Sequence, residues 1–131
     1  MTRTFIIIAA TVGFLGVAIG AFGAHGLAAH FADNPDLEPT FQTASDYHLI
    51  HALALLGVAW AAERYPGRAI RWAGYLMLAG VVVFSGSLYI LSIANIRWLG
   101  AIAPLGGTAL LAGWLLLGVA AWRGEKSNPN A

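Results

Sequence analysis

Three histidines stand in otherwise apolar stretches. His25 lies in Gly20-Ala21-Phe22-Gly23-Ala24-His25-Gly26-Leu27, and His48 and His51 lie in Tyr47-His48-Leu49-Ile50-His51. Imidazole titrates near neutral pH and binds zinc, copper and haem iron. His48 and His51 are three residues apart, so a helix carries them on one face. With His25 on a facing helix they form a candidate metal or haem site, with His25, His48 and His51 as ligands. The pair has no fixed third ligand nearby in sequence: His30 falls in an expected loop, and Asp46 is the neighbouring carboxylate. A second constellation is a polar pocket for a small ligand or a proton, lined by His25, Tyr47, His51, Ser85, Ser87 and Tyr89. The plain alternative to both is hydrogen bonding between helices, at about 1 kcal/mol or less per bond.

Catalysis has little footing in these residues. Ser85 and Ser87 have no nucleophile elbow and no base beside them in sequence, and no metalloprotease helix motif is present. The glycines around His25 close an apolar helix instead of joining a strand to a helix, so they are no phosphate-binding fingerprint. The chain has no cysteine, which excludes disulfides, thiolate metal sites and cysteine nucleophiles.

The elements that must position these groups follow from composition. Of 131 residues, 59% are hydrophobic and only 10% are charged. A soluble domain carries about 25% charged residues, so lipid is the main solvent here. The formal net charge of +1 gives no reason to expect nucleic acid as a partner. A helix crosses the hydrocarbon core with about 20 mostly apolar residues. Four segments qualify: residues 4–29, 41–62, 70–94 and 99–122. The first is longer than a signal peptide's apolar core of about 7–15 residues and reads as a span. Residues 31–40, acidic and broken by Pro35 and Pro39, read as a loop or a broken surface helix. Residues 125–131 read as a polar tail.

Glycines 13, 16, 20 and 23 fall on one face of the first segment, which lets another helix approach closely. Pro104, Gly106 and Gly107 are the corresponding packing positions of the last segment, where Pro104 frees a helical carbonyl. If both termini are cytoplasmic, the inside carries Arg3, Arg64, Arg68, Arg71, Arg123 and Lys126, and the outside carries Arg97 alone. That is a strong positive-inside pattern, and Trp72, Trp98 and Trp122 fall near segment ends as interfacial tryptophans do. In this orientation the polar positions gather toward the outer leaflet.

The octapeptide Gly20 to Leu27 resembles the signature of domain of unknown function 423, with its transmembrane-protein-256-like eukaryotic relatives. Three further blocks match in order. They are Tyr47-His48-Leu49-Ile50-His51-Ala52-Leu53-Ala54, Phe84-Ser85-Gly86-Ser87-Leu88-Tyr89, and Pro104-Leu105-Gly106-Gly107 with Gly113-Trp114. The resemblance spans nearly the whole chain. It implies a four-helix integral membrane protein, usually of the bacterial inner membrane, and it supplies no catalytic residues.

The sequence therefore predicts one all-α domain over residues 1–131: a four-span inner-membrane bundle with both termini cytoplasmic. The expected role is a non-enzymatic binding or accessory protein with no cofactor, embedded in lipid and associating with other membrane proteins or with itself. A metal- or haem-binding redox protein is the alternative. Transport of a small solute or proton by an oligomer is the third reading.

Overall fold

The computed structural model describes residues 1–126, with the side chains of Glu125 and Lys126 left undescribed, and is helical throughout with no strand among those residues. The helices are α1 (Thr2–His25), α2 (Ala28–Asp33), α3 (Glu38–Arg64), α4 (Arg68–Ala94) and α5 (Ala103–Lys126), with a 3-10 turn at Arg97–Ala101 before α5. Thr2–His25, Arg68–Ala94 and Arg97–Gly124 are long and apolar enough to cross a bilayer. α3 is as long as α4 but more polar, and it turns Ser45, His48 and His51 into the protein interior.

Several boundaries differ from the sequence reading. α1 stops at His25, short of residue 29, where the helical bonding pattern breaks: the Leu27 N–H reaches five residues back to the Phe22 carbonyl at 3.2 Å. Residues 31–40, expected as a loop or a broken surface helix, hold the end of α2, a turn, and the start of α3, with Pro39 in that helix's first turn. Proline is tolerated there because the first N–H groups of a helix have no partner within it. The same reason corrects Pro104, which opens α5 from its second residue instead of interrupting a span. Asn95 ends α4 in the left-handed region (φ 55°), which asparagine adopts more readily than most residues. Glu125 and Lys126 continue α5 and are not part of a tail; residues 127–131 of that expected tail lie outside the described residues.

Packing is antiparallel and sequential. Built Cβ atoms on Gly13, Gly16 and Gly20 would meet Ala52, Leu49 and Ser45, and Gly23 lies under the Phe41 ring. One number rises as the other falls, so the α1 glycines form a seam against α3. Lipid removes the hydrophobic drive between helices, so close van der Waals contact of this kind holds them together. Phe5 likewise fills the space over Gly74 of α4. Between α4 and α5 the approach is tighter still: Gly106 packs on the backbone of Phe84, Gly80 on Leu110 and Gly113 on Met77. α1 has no substantial packing against α5, so the four long helices form an open row and not a closed ring.

This order puts Arg3, Arg64, Arg68, Arg71 and Arg123 at one end of the molecule. The α2 segment, Asp36, Arg97 and Trp98 occupy the other. Large apolar side chains cover the outside, with Phe14, Leu53, Leu111 and Leu115 all about 70% exposed. A surface of that kind is stable in hydrocarbon and not in water.

Candidate functional site

His48 is the most connected polar residue of the interior. Its Nε2–H donates to the Val12 carbonyl of α1 at 2.8 Å, and its Nδ1 accepts from the Tyr89 hydroxyl of α4 at 3.0 Å. The pattern assigns one neutral tautomer, because a carbonyl can only accept. Val12 also faces its helical donor at Gly16, but a carbonyl has two lone pairs. Gly16 makes the second bond possible: a Cβ there would lie 3.4 Å from the His48 Nε2 and 2.8 Å from Leu49. A glycine four residues on thus uncovers a helical carbonyl for a side chain of the next helix.

His51 takes the opposite tautomer. Its Nδ1–H donates to the Tyr47 carbonyl at 2.7 Å, and its Nε2 accepts from the Trp114 indole N–H of α5 at 3.1 Å. The Tyr47 ring stacks near it (6.0 Å between centroids, 14° between planes) and leans on Phe84. Ser85 donates to the Ala44 carbonyl of α3 at 2.8 Å, while Ser87 donates to Phe84 within its own helix. Every buried side-chain nitrogen and oxygen among the described residues has a partner. The result is a set of ties from α3 to α1, α4 and α5.

Of the six residues expected to line a pocket, Ser87 lies two residues from Ser85 on the other side of α4 and bonds Phe84 of its own helix, whereas Tyr47, His51, Ser85 and Tyr89 lie along the α3–α4 side. His25 is not with them. It is exposed at the end of α1, level with the first turn of α3, since Gly23 packs on Phe41. That is roughly 10 Å along the helix from His48. The two cavities described lie elsewhere, one at the arginine-rich end and one between α1 and α2. Among the described residues no three His, Asp or Glu side chains gather to hold a metal ion, so the set His25, His48 and His51 is not assembled. Both ring nitrogens of His48 and of His51 are engaged with protein atoms.

The family model described as "Protein of unknown function (DUF423)" matches residues 19–107. The chain belongs to the DUF423 family. It is similar to the UPF0382 membrane protein YwdK of Bacillus subtilis, 47% identical over 120 residues that cover 91% of this chain and 96% of the relative. It is also similar to the UPF0382 inner membrane protein YgdD of Escherichia coli K12, 40% identical over 123 residues that cover 93% and 92%. No solved structure matches it. With its three apolar spans, this DUF423 chain is a multi-pass membrane protein.

Sequence reasoning missed several residues of the DUF423 chain. Trp114 is the partner of His51; an indole N–H inside a span needs an acceptor, and that need is the signal that points to it. His30 donates to the Ser92 carbonyl at 2.9 Å and ties α2 to the end of α4. Arg97 pairs with Asp36 at 2.7 Å on the exposed surface; that hydrogen bond holds the Asp36 carboxyl below its ordinary value of 3.8.

Asp46 is the outlier. It lies on the exposed face of α3 with Ile50, Leu53 and Trp60, and has no hydrogen bond or ion pair among the described residues. Contacts of Tyr47 with Phe84 and of Ser85 with Ala44 put it level with about Val83. The glycine seam puts it level with Ile19 of α1, roughly 9 Å from the last residue of that helix and roughly 26 Å from its first, in the outer part of the apolar band.

Proposed function

We propose that this protein is a non-enzymatic, four-span protein of the inner membrane, with both termini cytoplasmic, that works by self-association through the outward face of α3. Its accessory role follows from that surface and not from a pocket. The inner-membrane location follows the name of the Escherichia coli relative, and the orientation follows the arginines at one end. α3 counts as the fourth span because Ser45, His48 and His51 turn inward and are satisfied there, which leaves Asp46 as the charge on its outer face.

The observation that carries the reading is Asp46. A carboxylate within a membrane helix is costly, up to about 2.5–3.5 kcal/mol at the centre on insertion scales and less toward the interface, and such residues face protein or water and not lipid. Among the described residues no hydrogen bond or ion pair meets it. In a pair related by a two-fold axis along the bilayer normal, two α3 helices run parallel and equal depths come together. The exposed Gln42, one turn from Asp46 on α3, then offers its amide N–H to the carboxylate of the other copy. The His48 and His51 ties serve to hold α3 rigid behind that face. Metal or haem has no part in this reading, because a ligand at either histidine would displace a protein partner.

The test is molecular size in mild detergent. Wild type and Asp46→Asn run as dimers, since an amide still hydrogen-bonds, and Asp46→Leu runs as a folded monomer. A monomeric wild type, or a dimer that survives Asp46→Leu, contradicts the proposal.

A further inference from the structure

The arginine-rich end holds a cavity that the interior network and the α3 face leave unused. It measures about 1340 Å3 and opens between the α3–α4 turn and the last turns of α5. Arg64 and Arg68 flank the turn and Arg123 comes from α5, while Trp60, Tyr65 and Trp122 form much of the wall. Glu63 is the one acidic residue of the lining, so cations outnumber carboxylates three to one. None of the three arginines has an ion pair or a side-chain hydrogen bond among the described residues.

A positive cytoplasmic end explains why arginines are present but not why three of them ring one cavity. Arg3 and Arg71 share that end of the molecule and are not part of the lining. The tryptophans fix the depth: Trp60 and Trp122 are each about 60% exposed, and such residues sit at headgroup level. Guanidinium groups bind phosphate through paired N–H donors, and basic pockets between spans on the cytoplasmic side take anionic headgroups.

We propose that this cavity binds the phosphodiester of an anionic phospholipid from the cytoplasmic leaflet, held by Arg64, Arg68 and Arg123. The aromatic wall borders the glycerol and the first acyl carbons. A free phosphate has the same recognition chemistry but no use for that wall.

The experiment is native mass spectrometry of the full chain in detergent with phosphatidylglycerol or phosphatidylcholine added. Two charge-matched double variants are compared, Arg64→Gln/Arg68→Gln in the lining and Arg3→Gln/Arg71→Gln outside it. Wild type retains phosphatidylglycerol over phosphatidylcholine by roughly fivefold or more, and the outer pair keeps that preference while the lining pair loses it. Equal loss in both pairs, or no preference in wild type, overturns the site. Arg64→Lys/Arg68→Lys keeps charge and topology should the glutamine pair fail to fold; it lowers the preference if the guanidinium fork matters, and an unchanged preference argues against the site. Millimolar inorganic phosphate leaves the bound lipid in place; displacement assigns the cavity to a soluble phosphate compound and overturns the lipid assignment.

Discussion

His48 and Tyr89 offer the sharpest test at the scale of single residues. Removing the Tyr89 hydroxyl leaves the buried His48 Nδ1 without its donor, while Tyr89 keeps Ser45 as a partner when His48 is removed, and a double-mutant cycle isolates the pair. Polar contacts between membrane helices average about 0.6 kcal/mol by this method and reach about 1.7. The His48→Leu and Tyr89→Phe cycle, followed by unfolding in mixed micelles, is expected toward the upper part of that range, because the Val12 bond holds the imidazole in place. Additive effects contradict the tie. Part of this was legible in the sequence: spacing put His48 and His51 on one face, and depth put them inside the membrane. The partners were not, since Val12 contributes a backbone carbonyl that any residue type has. The separation of His25 from the pair was also hidden, because it depends on α1 ending at Gly26.

Among the helices, two glycine seams behave differently. The α1 seam was readable because positions 13, 16, 20 and 23 repeat at the helical period within one segment. The seam between α4 and α5 draws Gly80 from one segment and Gly106 and Gly113, seven residues apart, from the other; Gly106 was an expected packing position, but that Gly80 lies in the same seam depends on the fold. Gly106 packs on the Phe84 backbone, so a methyl group there must push two helices apart. Gly106→Ala is expected to destabilise by about 1–3 kcal/mol, the usual cost of overpacking. Gly118 of α5 faces open space, and Gly118→Ala is expected to be neutral or to stabilise by up to about 1 kcal/mol through helix propensity. Unfolding of the two variants side by side checks the contrast, and similar effects would contradict the seam.

For the whole molecule, composition and charge pattern gave the sequence reading its reach. An apolar chain with arginines clustered at segment ends has few folds open to it in a bilayer. The open row was not legible, since pairwise helix order depends on which small residues meet. Opening the row leaves α3 with an outward face, and Asp46 becomes conspicuous only once that face is seen to be uncovered. The absence of native cysteine allows a direct test in native membranes. A cysteine at Ile50, one turn from Asp46 on the outward face of α3, is oxidised and cross-linked dimer is counted, with Val82→Cys on the exposed face of α4 as control. The account predicts a dimer from Ile50→Cys, little from Val82→Cys, and a roughly tenfold fall when Asp46→Leu is added. Equal cross-linking at the two positions, or a dimer indifferent to Asp46→Leu, would contradict it.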